Sequence, residues 1–388
     1  MKKVLIVTYK PVLPIDGGDK FRIYHIADVL KENYVVDILC PGGQNTFNLL
    51  KKANIFGSIY LYRINIYSIF YEFLRNIFLR RPIQMSFFET SRSRQIVSKV
   101  AHNYDIIYCH LFRGLMMVPE WCHKKVVWDM CDSVANASAR IKIPKTIKQL
   151  LFKFDYKKIY NYERSSILTI GDTIVINSND LNGLGLSKDL VHVVNNGHSG
   201  PIVKKDQRFD IEGKWLLFIG NMNTYPNRAS LSWFIDKVLP ELNGELKLLV
   251  VGSGSTRFIK NLDMLNALES YNELSDIVDR NIIGGIAPMI YGTGVQNKVL
   301  DYFALGIPAI ISPIAKDGLT VRNGEEVIVC STIDEYKVAL TAIMDLDYDI
   351  EKLTDKAGTY LVNNHTWQSA GNKLVSIIDN RISELNKE

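Results

Sequence analysis

Residues 286–308 read Ile286-Ala287-Pro288-Met289-Ile290-Tyr291-Gly292-Thr293-Gly294-Val295-Gln296-Asn297-Lys298-Val299-Leu300-Asp301-Tyr302-Phe303-Ala304-Leu305-Gly306-Ile307-Pro308. An apolar run ends at a proline, a glycine-rich loop enters a helix around Val295, and Gly306 closes that helix. A second apolar run, Ala309–Ser312, follows at once. Strand, helix and strand joined by short loops are the repeating step of a parallel sheet. Amides at the loop and Lys298 on the first helical turn form a cradle for an anion. Asp301 lies three residues on along the same face, placed to accept from hydroxyls. Phosphate binding beside a hydroxyl acceptor is what a nucleotide-sugar requires. The plainer reading is an amphipathic helix with a solvated lysine and aspartate.

Outward from this stretch the same step recurs. Apolar runs at Val4–Thr8, Val35–Leu39, Ile59–Tyr62, Ile106–His110, Lys125–Asp129, Thr173–Asn177 and Val191–Asn195 alternate with helical patterns such as Arg22–Lys31 and Phe87–Ala101. After the turn signals Asn195-Asn196-Gly197 and Gly200-Pro201, a second series begins at Trp215–Ile219. It continues through Lys247–Val251, Ile282–Ala287, Ala309–Ser312 and Val327–Cys330. The expectation is α/β architecture in two doubly wound, Rossmann-like domains. These are an N-terminal domain over 1–200, a C-terminal domain over 201–365, and a helix over 366–388 that returns to the first. The length of 388 residues agrees with two domains.

Composition excludes several classes. The chain is 47% hydrophobic and 22% charged, which is ordinary for a globular protein and unlike a disordered or disulfide-framework chain. No run of 18 apolar residues is present, so no conventional membrane span is expected. The first residues, Met1 to Lys10, read as a buried strand rather than a secretory signal. Five cysteines without a CxxC pair argue against a zinc site and suit a reducing, cytoplasmic setting.

The net charge of +5 is unevenly divided. Residues 1–200 hold 27 Lys and Arg against 16 Asp and Glu, and residues 201–388 hold 19 against 25. Two stretches concentrate the excess, 59–100 and 140–164. In the first, apolar and aromatic residues recur at helical spacing over Ile66–Leu79 beside Arg75, Arg80 and Arg81. A basic helix with an aromatic face suits an anionic membrane surface. Equally, it suits a helix that packs its aromatic face on its own domain. No nucleic-acid-binding signature accompanies the charge.

Residues that follow strands are the ones to inspect in such a sheet. Gly17 and Gly18 precede the first helix, and His110 ends the fourth apolar run. Gly220 and Asn221 follow Trp215–Ile219, with Arg228 near the next helix start. Val250-Val251-Gly252-Ser253-Gly254-Ser255 has two of the three glycines of a dinucleotide loop, a weak sign of NAD binding. Asp345-Leu346-Asp347 has a DxD spacing, but it follows a helical pattern and reads as a solvated helix end.

The segment 286–308 resembles the donor-site motif of GT-B glycosyltransferases of the retaining family 4 type, in particular their bacterial polysaccharide branch. The likeness rests on Gly294–Lys298, Leu300 and Gly306–Pro308. It extends to Leu217–Leu239, Asn196-Gly197, Thr173–Leu184, Gly17-Gly18 and Arg22. The resemblance implies two Rossmann-like domains facing across a cleft. It also implies metal-independent, cofactor-free transfer of a sugar, with anomeric retention, from a nucleotide diphosphate to a lipid-linked or growing surface polysaccharide at the inner membrane face. Gly17 and Gly18 would approach the diphosphate and sugar, and His110 would contact the sugar. Gly294, Val295, Gln296, Asn297 and Lys298 would bind phosphate, with Gly220, Asn221 and Arg228 nearby, and Asp301 would hold the ribose. Arg75, Arg80 and Arg81 would face the acceptor or membrane. Three positions depart from the wider family: Thr293 where glutamate is usual, Asn221 where arginine is usual, and Asp301 in place of glutamate. The departures at Thr293 and Asn221 keep open a non-catalytic glycan-binding or partner protein, and a sugar-nucleotide epimerase of the same fold is a further reading.

Overall fold

The structure is a computed structural model that describes all residues except 16–17, 140–146, 179, 199–213, 243, 260–264, 271–273, 275–276, 278–280, 292–294, 346–348 and 388. The chain divides into two compact units, one formed by Met1–Gly197 with Trp367–Glu388 and the other by His198–Thr366.

In the first unit the strands are β1 Lys3–Val7, β2 Val35–Pro41, β3 Ile59–Tyr62, β4 Ile106–His110, β5 Val126–Cys131, β6 Asp172–Val175 and β7 His192–Val193. They lie side by side in the order β3-β2-β1-β4-β5-β6-β7, every pair parallel. The second unit has β8 Trp215–Ile219, β9 Lys247–Val251, β10 Leu265–Leu268, β11 Ile282–Ala287, β12 Ala309–Ile311 and β13 Ile328–Val329, in the order β10-β9-β8-β11-β12-β13 and again all parallel. Both orders reverse direction once, between β1 and β4 and between β8 and β11. Ligand crevices form beyond the strand ends at such a reversal.

Apolar side chains from both faces of each sheet are buried, as parallel strands covered by helices require. One face of the first sheet packs Leu5, Val7, Ile107 and Trp128. The other packs Val4, Ile6, Ile106 and Val127. The final helix, Trp367–Leu385, lies on the second of these faces, where Trp367, Leu374, Ile377, Ile378 and Ile382 join the core. Trp367 stacks on His25 with ring centroids 4.8 Å apart. Gly371 sits so close to the helix Gly18–Leu30 that a Cβ there would meet Val29 Cγ1 at 2.2 Å.

The structure differs from the sequence reading in three places. The expected helix Phe87–Ala101 is broken: a 3₁₀ turn covers Ile83–Phe87, and the helix proper is Ser91–Val100. Thr90 and Ser93 form a reciprocal capping box that fixes this start. Strand β10 was not anticipated, because Leu265-Asn266-Ala267-Leu268 is a half-exposed edge strand without an apolar run. The helix that follows residues 292–294 starts at Asn297, with Gln296 as its N-cap, two residues later than expected.

Candidate active site

Buried polar side chains gather at strand ends near each sheet reversal. In the first unit β4 ends in His110 and β5 brings Asp129 beside it in register. Both are buried. The Asp129 carboxylate accepts Nε and Nη2 of Arg22 at 2.8 and 2.9 Å, the Tyr108 hydroxyl at 2.6 Å, and lies 3.4 Å from His110 Nδ1. Arg22 Nη1 in turn donates to Asn196 Oδ1 at 2.9 Å. Burial alone would push the Asp129 carboxyl up. The Arg22 charge and the hydrogen bonds from His110 and Arg22 outweigh it and hold the carboxyl well below the usual carboxylate range. Asp129 therefore stays ionised, and its engagement of Nδ1 leaves His110 Nε2 as the ring atom with no hydrogen-bond partner among the described residues.

The backbone at these strand ends is strained. Leu111, directly after His110, has φ 59°, and Cys131 has φ 59°, both left-handed conformations that side chains other than glycine adopt at a cost. Such strain fits a place where the chain is bent to present a side chain.

His110, Asp129 and Cys131 are also the one trio of possible metal ligands found among the described residues, with ligand atoms within 4.8 Å of one another. The Arg22 fork already occupies both Asp129 oxygens, and burial pushes the Cys131 thiol well up, so it is protonated. A guanidinium and a thiol are poor company for a cation.

Of the paired glycines, Gly18 begins the first helix and Gly17 lies outside the described residues. Beside them Asp19 accepts Lys10 Nζ at 2.8 Å and the Tyr9 hydroxyl at 3.2 Å.

In the second unit Lys298 is the second residue of the helix Asn297–Ala304, and it is only 6% exposed. Its Nζ donates to Asn227 Oδ1 at 2.8 Å, lies 3.3 Å from Met289 Sδ, and sits 4.3 Å from the centroid of the Phe218 ring. Phe218 is on β8 and Met289 follows β11, so the ammonium stands at the carboxyl edge of the sheet. Burial pushes its pKa down to about 7, and the nearby Asp301 recovers part of the loss. Asn227 is itself held by donating from Nδ2 to the Asn221 carbonyl at 3.1 Å. Gly220 makes room for this arrangement, since a Cβ there would come within 2.9 Å of Asn227 Nδ2. Gly285 on β11 likewise clears space for Tyr302, whose hydroxyl donates to the Ile286 carbonyl at 2.9 Å and accepts from the Ile219 amide at 3.2 Å. That ties the helix of Lys298 to both central strands.

The other expected donor residues fall as follows. Val295 packs on the core, Gln296 is the N-cap, and Asn297 opens the helix, while Gly294 and Thr293 lie outside the described residues. Asp301 Oδ1 is 3.1 Å from His198 Nε2. Asn221 accepts from the Asn223 amide at 2.9 Å. Arg228 does not reach outward: its Nη1 donates to the Met222 carbonyl at 2.8 Å. The weak dinucleotide loop is closed to a ligand, because Glu269 accepts the Gly254 and Thr256 amides at 2.7 and 3.3 Å. Asp345 follows the helix Ile333–Met344, and Asp347 lies outside the described residues.

Two of the three arginines expected to face an acceptor are paired with buried glutamates and keep only part of their side chains exposed. Arg75 Nη1 is 3.4 Å from Glu72, and Arg81 Nη1 is 3.1 Å from Glu89, both glutamates being fully buried. Arg80 is exposed.

Sequence reasoning missed Asp129 and Asn227. A signal existed for the first: an acid inside an otherwise apolar buried strand needs a partner. Asn227 carries no comparable signal.

Residues 213–345 match the family described as "Glycosyl transferases group 1". Among solved structures, Anabaena HepE in complex with UDP has a TM-score of 0.64 at 12% identity, covering 98% of this chain and 100% of that one. The lipopolysaccharide outer core galactosyltransferase WaaB has a TM-score of 0.61 at 13% identity, with 98% and 100% covered. The fold is GT-B, with two Rossmann-like units in tandem. A protein of Klebsiella pneumoniae described as "Uncharacterized 44.6 kDa protein in cps region" is 24% identical over 362 residues, covering 85% of this chain and 88% of its own length.

Proposed function

We propose that the chain is a glycosyltransferase. It moves a sugar, with retention at the anomeric carbon and without a metal or other cofactor, from a nucleotide diphosphate donor to a lipid-linked or growing surface glycan. The observation that carries this reading is Lys298. A buried ammonium whose pKa has fallen to about 7, at the start of a helix and at the carboxyl edge of a parallel sheet, is a group that lacks its counter-ion. A diphosphate supplies that counter-ion. As the bond to the sugar breaks, negative charge gathers on the leaving diphosphate, and Lys298 with the adjoining helix amides stabilises it. His110, held through Nδ1 by Asp129, offers Nε2 to a sugar hydroxyl.

The neighbours add support at the level of chemistry. HepE has been solved with UDP and with UDP-glucose. WaaB is named for lipopolysaccharide and the Klebsiella relative for a cps region, which favours a surface polysaccharide as acceptor, met at the inner face of the cell membrane. Among the described residues no helix is long and apolar enough to cross a membrane, so attachment would be peripheral.

A panel of UDP-, GDP-, ADP- and TDP-sugars in a thermal-shift assay tests the reading, because a ligand of the folded state raises its melting temperature by mass action. One nucleotide class should raise Tm in the wild type and leave Lys298→Ala unmoved. Equal responses from both proteins across all donors would defeat it. The pairing of Asp301 with His198 keeps a non-catalytic glycan-binding reading in play. Donor binding without any transfer or hydrolysis would select that reading.

A further inference from the structure

The helix Ile66–Phe78 is turned inside out. Its buried residues are Glu72 and Asn76, while Ile66, Tyr67, Phe70, Tyr71, Leu74 and Phe78 face solvent. Tyr67 is 83% exposed, Phe70 64% and Phe78 87%. At about 100° per residue, these apolar side chains fall within an arc of roughly 140°, opposite the buried pair. The inward polar face is hydrogen-bonded through Asn76 Nδ2 and the Glu72 carboxylate. Asn76 donates to the Ser86 hydroxyl at 3.1 Å, and Glu72 accepts from Arg94 at 2.7 Å and the Ser91 hydroxyl at 3.1 Å. Rotating the helix to hide its aromatics would take Asn76 from Ser86 and Glu72 from Arg94 and Ser91, so the outward apolar face is tied in place by these bonds. Leu79 and Phe87, which follow in the chain, are exposed as well.

Along residues 59–100 the exposed charge has one sign. Between residues 59 and 100 the acids are Glu72 and Glu89, both buried. They face Arg75, Arg81 and Arg94, three cations for two anions, and the crowding is felt: burial, then the charges of Arg94 and Arg81, lower the Arg75 pKa. A shallow open depression beside the helix is lined by Arg75, Ser91, Arg94, Gln95, Ser98 and Lys99. Arg63, Arg80 and Arg92 are exposed, and no carboxylate among the described residues pairs with them.

We infer that this helix is the membrane-docking element of the first unit: its aromatic face enters the acyl boundary of an anionic bilayer, and the basic depression beside it receives a lipid headgroup phosphate. The inference rests on the proposed function for its biological setting, an acceptor carried on a lipid, and identifies the surface that meets it. A helix of 13 residues is too short to span, and it has the aromatic face and basic margins of one that lies in the interface. A second copy of the chain fits less well. A two-fold contact over this face would bring like-charged Arg63, Arg80 and Arg92 together with no exposed acid between 59 and 100 to receive them.

Co-sedimentation of the purified full chain with vesicles is the test. Vesicles of phosphatidylcholine with phosphatidylglycerol should bind it on the order of tenfold better than phosphatidylcholine alone. Phe70→Ser with Phe78→Ser should cut binding by on the order of tenfold or more. Arg80→Glu with Lys99→Glu should erase the preference for phosphatidylglycerol. All four positions are exposed, so melting temperatures should match the wild type. Absence of vesicle binding, or binding indifferent to both double variants, would overturn the inference. So would a wild-type dimer in solution that the Phe70→Ser/Phe78→Ser variant dissociates. The vesicle assay contains no donor, so vesicle binding without any nucleotide response would refute the transferase reading alone, and the reverse pattern would refute docking alone.

Discussion

At Lys298 the cost to the empty protein and the use proposed for it in the loaded one have the same physical origin. The ammonium is buried with only neutral hydrogen-bond partners, Asn227 and Met289, and its pKa falls from 10.5 to about 7. Between pH 7 and 10.5 the unfolded chain then binds more protons than the folded one, so this residue makes stability rise with pH across that window. Lys298→Met should flatten that rise in chemical denaturation followed at several pH values. Donor binding should show the opposite trend. It favours the charged ammonium, so affinity should weaken as pH rises through 7, and calorimetry above that pH should record proton uptake on binding. For catalysis, Lys298→Ala should cost on the order of 10²–10³ in kcat, the usual scale for losing a donor to a developing anion. Asp129 presents the other kind of buried charge. Asp129→Asn leaves Arg22 uncompensated and should cost about 3–5 kcal/mol in urea denaturation, whereas Arg22→Met with Asp129→Leu should cost much less than the two single changes together. His110 was legible in the sequence as a histidine at a strand end. Asp129 was overlooked because it sat inside an apolar run, and neither the Arg22 fork nor the Asn227 contact is encoded by local spacing.

Elements in this protein are placed by close approaches as much as by periodicity. Gly285 and Gly371 each occupy a spot where a methyl group would overlap a neighbour, the Tyr302 ring at 2.3 Å and Val29 at 2.2 Å. Gly285→Ala and Gly371→Ala should each destabilise by about 1–3 kcal/mol or more, and thermal melts will show it. Alternating apolar runs and helical patterns were enough to read the parallel α/β plan, since a strand buried on both faces announces itself as a continuous apolar stretch. β10 stayed hidden because an edge strand needs no such stretch. The helix Ile66–Phe78 shows a deeper limit. Periodicity reports that a helix has an apolar side, but the direction that side faces depends on what the opposite side finds to bond. Here Glu72 and Asn76 found Arg94 and Ser86.

Across the whole molecule, the first unit is made of two stretches of chain separated by the second unit. The helix Trp367–Leu385 supplies Trp367, Leu374, Ile377, Ile378 and Ile382 to the first unit's core. Burying five such side chains is worth on the order of 10 kcal/mol, comparable to a domain's entire stability. Removing residues 367–388 should therefore abolish the cooperative unfolding of the first unit and send the protein to the insoluble fraction. The second unit, complete by Thr366, should keep its own transition if expressed as 198–366. A timing asymmetry during synthesis follows. The ribosome makes every residue of the lysine-bearing unit before it makes the helix that closes its companion, so the earlier part of the chain stays without one wall of its core until the later unit has been synthesised.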